Sequence, residues 1–298
     1  MSAALLGCYD SFKKEALSGN AVIPVLFLNT VFSSLIFLPF IIMSHEGLLP
    51  GDSLLHVASG GWAEHKYILL KAVIVLSSWV LGYFGMKHLP LTIVGPINAT
   101  RPVMVLVGAL LVFGERLNVW QWVGVTLAVV SFLMLSHSGK KEGINFRRDH
   151  WIWMIVGAAA LGAVSGLYDK YLMAPVGDGG LGLDRMMVQS WYNIYQSGMM
   201  LAMLLLLWWP QRKHSTPFHW HWTILGVSIF LSVADFMYFY SLSLPDAMIS
   251  IVSMIRRGSV VVSFLFGALF FHEKNLKAKA VDLALVLLGM VFLYIGSR

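Results

Sequence analysis

Blocks of about 20 apolar positions alternate with short polar breaks along the whole chain, and all but the first are long enough to cross a hydrocarbon core of about 30 Å as a helix. The alternation predicts ten helical spans, at residues 2–17, 21–43, 66–86, 91–113, 118–136, 150–173, 184–209, 220–242, 246–271 and 278–296. The expected fold is therefore an all-α polytopic membrane protein. The first span is the shortest and needs little tilt or a locally thinned bilayer. Most breaks are short, as a packed bundle requires. The longest, 45–65, contains Pro50-Gly51-Asp52 and Gly60-Gly61-Trp62. It predicts a short interfacial helix over Ser53 to Ala58, with Trp62 at the headgroup level.

Composition narrows the class further. Hydrophobic residues make up 58% of the 298 positions and charged residues 12%, which removes an ordinary soluble domain from consideration. A formal charge of +6 suggests nucleic acid in a soluble chain. Here the basic residues gather at the breaks, where topogenesis and headgroups account for them, and no nucleic-acid partner is expected. Cys8 is single, so neither an intrachain disulfide nor a cysteine-pair metal site can form. No cleavable signal is expected, because Met1-Ser2-Ala3-Ala4-Leu5 lacks a basic region and leads directly into a short apolar run containing Asp10.

Once the spans are drawn, an internal repeat emerges. Gly7-Cys8-Tyr9-Asp10 matches Gly166-Leu167-Tyr168-Asp169, and Leu89-Pro90 matches Leu244-Pro245. Gly108 to Glu115 matches Gly267 to Glu273 with one gap, and Arg101 falls near the place of Arg256 and Arg257. The halves are 1–139 and 146–298. Each carries five spans, and because five is odd the second copy crosses the membrane in the opposite sense. Inverted repeats are a common way for secondary transporters to build two exchangeable states around a midplane site.

Charges inside the spans are the candidate site. A central Arg costs roughly 2.5 to 3.5 kcal/mol on insertion, whereas each large aliphatic residue returns only about 0.3 to 0.6 kcal/mol. Arg101, Arg256 and Arg257 therefore require acidic neighbours or a watery cavity. Adjacent helical residues point about 100° apart, so one of Arg256 and Arg257 is expected to face the cavity while the other snorkels or pairs elsewhere. A guanidinium in the cavity would hold a carboxylate or phosphate. Asp10 and Asp169, one per half, are candidates for a cation or coupling-proton site, or for ion pairs with nearby lysines. Asp235 and Tyr238 share a face, as Trp79 and Tyr83 roughly do in the third span, and such aromatic walls suit an organic substrate. Asn98 is a polar candidate in the fourth span. Gly162 and Gly166 predict a close helix crossing. Asp282 is expected to pair with Lys279 or to meet a second subunit.

Nothing suggests catalysis or a cofactor. His219 and His221 flank Trp220 without a Cys or acidic cluster to complete a metal site, and the glycines from Gly177 to Gly182 lack the Lys-Ser/Thr of a phosphate loop.

The ten spans in two halves, Gly114-Glu115-Arg116 closing the fourth, and its echo His272-Glu273-Lys274 resemble the EamA branch of the drug/metabolite transporter superfamily. The resemblance covers essentially the whole chain, and its motifs are loose. It implies a secondary transporter whose central cavity is lined by both halves, carrying small metabolites in or out. It also implies both termini in the cytoplasm. Charge bias points the other way, with twelve basic residues in the odd-numbered loops against five elsewhere, Lys71 counted among the five.

The expected function is alternating-access transport of a small zwitterionic or anionic metabolite, with proton coupling or exchange. Arg256 and Arg101 would hold the anionic group, while Asp235 or Asp10 would take an amino group or the proton. The expected partners are that metabolite and membrane lipid, in a monomer or homodimer of a bacterial inner (plasma) membrane. The rivals are a membrane-embedded enzyme or lipid-handling protein, and a scaffold whose central charges are all internally paired.

Overall fold

The computed structural model describes residues 1–105, 118–140, 148–243, 252, 256–271 and 276–296. In hydrocarbon every peptide group must be paired within the protein, so the apolar runs become helices and the Pro- and Gly-containing breaks end them. The longer helices are α1 (Ser2–Leu17), α2 (Val22–His45), α3 (Trp62–His88), α4 (Leu91–Ala99) and α5 (Val119–Lys140), followed by α6 (His150–Met173), α7 (Arg185–Met203), α8 (Thr223–Leu242), α9 (Ser259–Leu269) and α10 (Leu276–Gly296). A widened π turn over Leu204–Trp208 carries α7 into Trp209–Gln211.

Local chemistry fixes several ends. Asp149 and Asp184 accept backbone N–H groups at the starts of α6 and α7. Lys14 donates to the carbonyls of Met86 and Leu89 at the end of α3, at 2.8 and 2.6 Å. Pro102 offers no N–H to the Asn98 carbonyl, so the helical ladder lapses at Thr100 and resumes with Met104 N–H donating to Thr100 O. The predicted helix over Ser53 to Ala58 does not form. That stretch is a series of turns, held by Ser53, whose hydroxyl accepts from Leu55 N–H, and by Ser44, which accepts from Val57 N–H.

Among the described residues, five helices, α2, α3, α6, α8 and α10, are long and apolar enough to cross a membrane. Large apolar residues such as Leu206 and Leu269 stand exposed on the outside, while the interior holds many polar side chains. This is the arrangement expected when lipid is the outer solvent. The protein is an all-α polytopic membrane protein.

Among the described residues, the principal helix contacts pair α3 with α6, α1 with α8 and α9, α2 with α7 and α8, α4 with α9 and α5 with α10. Close crossings depend on Gly7 and on Gly124 opposite Gly289. A Cβ at Gly7 would lie 2.3 Å from Val262 Cβ, and one at Gly124 would lie 2.8 Å from the Gly289 carbonyl. Between α2, α7 and α8 runs a buried polar seam that includes Asn29, Gln189, Asn193 and Ser228. Two of its bonds are Gln189 Nε2 to Ser232 O at 3.1 Å and Ser228 Oγ to Asn29 Oδ1 at 3.1 Å. Hydrogen bonds of this kind join helices where the hydrophobic effect cannot.

Candidate functional site

Helices from both halves of the chain surround a cavity of about 160 Å³. All ten residues singled out from the sequence line it: Asp10, Trp79, Tyr83, Asn98, Arg101, Asp169, Asp235, Tyr238, Arg256 and Arg257. The motifs Gly114-Glu115-Arg116 and His272-Glu273-Lys274, together with Pro245, lie outside the described residues.

Three carboxylates and five cations share the cavity wall. Each carboxylate has a cation of its own. Asp10 lies 3.0 Å from Lys13 within α1 and accepts from Ser263 Oγ on α9 at 3.2 Å. Asp169 on α6 pairs with Lys71 on α3. Asp235 on α8 pairs with Arg256, which leads into α9, and accepts from Tyr192 Oη on α7 at 2.9 Å. A buried ion pair roughly breaks even against its desolvation, but removing one partner strands a charge at a cost of about 3 to 5 kcal/mol. Each of these carboxylates therefore has a described cation at ion-pair distance, Asp10 within its own helix and Asp169 and Asp235 on others.

Two of the pairs join into a closed ring. Tyr238 Oη stands 3.5 Å from Asp169 Oδ2, and the Tyr238 ring carries the Arg256 guanidinium at 4.1 Å. Arg256 meets Asp235, Asp235 meets Tyr192, and the Tyr192 ring lies 5.1 Å from Lys71 Nζ. The ring welds α3 to α6, α7, α8 and the start of α9. Lys71 corrects the sequence expectation, which treated it as a loop residue. Its side chain is 3% exposed inside α3, because the helix begins at Trp62 and places residue 71 well below the surface.

Arg101 and Arg257 are different. Among the described residues neither meets a carboxylate, and Arg257 makes no hydrogen bond. Arg101 donates through Nη2 to Asn98 Oδ1 at 3.1 Å. The Nε atoms of both are buried and without a partner. Arg256 and Arg257 both line the cavity, so neither snorkels away from it. The cavity is wide enough to be bordered by directions about 100° apart on one helix.

Arg101 occupies a place kept clear by glycine. A Cβ at Gly162 would sit 2.7 Å from its Cζ and Nη1, so only glycine lets the guanidinium lie flat against α6. A Cβ at Gly166 would meet nothing within 4 Å. The two glycines therefore border the cavity and are not the predicted helix crossing. Asp282 is fully buried, which removes it from any subunit surface, and Lys279 donates to Thr92 Oγ1 at 2.9 Å.

Aromatic side chains complete the wall. Lys13 Nζ lies 4.3 Å from the Tyr9 ring and 5.1 Å from the Tyr83 ring, near Trp79. Sequence reasoning passed over Lys71 and Tyr192. A lysine inside a drawn span was signal enough for the first. For the second, Gln189, Tyr192, Asn193 and Gln196 recur at helical spacing as a polar stripe.

Comparison with known proteins adds two findings. The profile of the EamA-like transporter family matches residues 1–137. A crystal structure of another protein superposes with a TM-score of 0.66 at 12% identity, over 99% of this chain and 96% of its own, which shows a shared fold. No curated protein matches the sequence.

Proposed function

Residues 1–137 belong to the EamA-like transporter family, whose members are transporters and not enzymes, and from that premise we propose that this chain is a secondary transporter of a small organic anion. One observation carries the substrate class. Lys13, Lys71 and Arg256 are matched by Asp10, Asp169 and Asp235, whereas Arg101 and Arg257 line the cavity without an ion pair to any described carboxylate. A carboxylate or phosphate entering the cavity supplies the missing partner and gains from two guanidiniums in a site of low dielectric. The amino group of a zwitterion would have to compete with a lysine or arginine for each aspartate. The aromatic wall formed by Trp79, Tyr83 and Tyr9 suits the organic part of the substrate.

The transporter consists of ten spans in two inverted halves, 1–139 and 146–298. The pattern of helix contacts supports this reading. Exchanging the first five helices with the second five turns α3 against α6 into α8 against α1, and leaves α2–α7, α4–α9 and α5–α10 unchanged. Such a pseudo-two-fold arrangement permits one half to rock against the other around a midplane site. Exchange fits the charge balance better than proton coupling. The aspartates are already engaged by cations, and a cavity with two unbalanced guanidiniums reorients at lower cost when an anion fills it.

Counterflow in proteoliposomes tests the proposal. Vesicles preloaded with unlabelled carboxylates or phosphate esters are assayed for uptake of the labelled compounds, with wild type beside Arg101→Gln and Arg257→Gln. Uptake of an organic acid that depends on internal anion, and falls at least tenfold in both folded variants, is the expected result. Uptake of neutral amino acids alone, or full activity in both variants, would reject an anion carrier.

A further inference from the structure

A second pocket, of about 210 Å³, shares no lining residue with the charged cavity and opens where the N-terminus of α2, the C-terminus of α3 and the end of α7 meet. Its polar lining includes Lys87, Gln211 and Thr216, and its apolar lining includes Phe84 and Leu207. No acidic residue is among its described lining residues. Lys87 Nζ donates to Thr216 Oγ1 at 3.0 Å, which leaves the ammonium charge uncompensated by any described carboxylate. Trp208 also lines the pocket, and its buried Nε1–H has no hydrogen-bond acceptor. A buried donor left unmade is costly, and the π turn that ends at Trp208 is a device that often marks functional positions.

The location specifies the ligand. Arg212, Lys213, Trp220 and Trp222 belong to the same end of the bundle, which gives that end the aromatic and basic character of a membrane interface. Immediately beside the pocket, Leu205, Leu206 and Leu207 are 52%, 74% and 52% exposed and form an apolar strip around the outside of this helical turn. A cation and unpaired donors at headgroup depth, continuous with an aliphatic surface, match the two ends of one amphiphile. We infer that this pocket is a binding site for an anionic phospholipid, with the phosphate held by Lys87 and Gln211 and an acyl chain lying along Leu205 to Leu207. The shared chemistry is a phosphate oxyanion, which free phosphate could also supply, but the aliphatic strip has no role in binding a soluble ion. The site is independent of the transport proposal, because no residue of the central cavity contributes to it.

Native mass spectrometry of the full-length protein in detergent, titrated separately with phosphatidylglycerol, phosphatidylcholine and inorganic phosphate, tests the site. The first phosphatidylglycerol should bind about fivefold more tightly to wild type than to Lys87→Gln, the size expected for one interfacial lysine. Phosphatidylcholine should bind more weakly than phosphatidylglycerol, and excess inorganic phosphate should not displace the lipid. Lys87→Arg keeps the cation at this position and should retain most of the wild-type affinity for phosphatidylglycerol. Equal affinity in wild type and Lys87→Gln would overturn the inference, as would displacement by phosphate, which would make the site one for a soluble anion. A loss in Lys87→Arg as large as in Lys87→Gln would also overturn it, because the charge at this position would then not be what holds the lipid.

Discussion

Lys71 and Asp169 stand 98 positions apart in the chain and form an ion pair whose side chains are 3% and 7% exposed. The pair joins α3 to α6, and therefore one half of the chain to the other. Lys71→Met should leave a stranded carboxylate and destabilise the protein by about 3 to 5 kcal/mol. Lys71→Met combined with Asp169→Leu should recover most of that loss. Apparent melting temperatures of the single and double variants in detergent would check this, and a double variant no better than the single would show that the pair is not the main term.

Arg256 and Arg257 are adjacent but should fail in different ways. Arg256→Gln removes the cation from Asp235, so its first effect should be a lower melting temperature. Arg257→Gln removes a charge that has no described partner, and should leave the melting temperature near that of wild type while weakening transport. Thermal scans measured beside counterflow rates would separate the two, and similar behaviour in both assays would count against the division of roles.

Gly162→Ala should act through Arg101. The added methyl would lie 2.7 Å from the guanidinium carbon, so the side chain must swing away from α6. Half-saturation for the transported anion should rise by about tenfold, equivalent to about 1.4 kcal/mol. Gly166→Ala, where a Cβ meets open space, serves as the comparison and should change half-saturation less. Equal effects at the two glycines would mean that helix packing, not Arg101, is what responds.

Gly124→Ala should destabilise without altering selectivity. Its Cβ would press to 2.8 Å from the Gly289 carbonyl, forcing α5 and α10 apart far from the charged cavity. Overpacking of this kind costs about 1 to 3 kcal/mol. A lowered melting temperature with an unchanged ranking of transported anions is expected. A changed ranking would mean that the α5–α10 crossing shapes the cavity.

Much of this protein was determined by the sequence alone, for a simple physical reason. A bilayer punishes unpaired backbone and isolated charge so heavily that apolar runs announce helices, and a charge within such a run announces a polar interior. The periodic blocks located the helices, and the ten candidate residues met at one cavity because an interior charge has few other places to go. Tertiary structure alone decided how those charges are shared. Asp10 pairs within its own helix, whereas Asp169 and Asp235 find partners on others, and no local spacing could distinguish these cases. The same holds for Gly162, whose spacing from Gly166 suggested a helix crossing until Arg101 was found lying against it. Which guanidiniums remain unmatched depends on distances across the bundle, and that remainder points to the substrate.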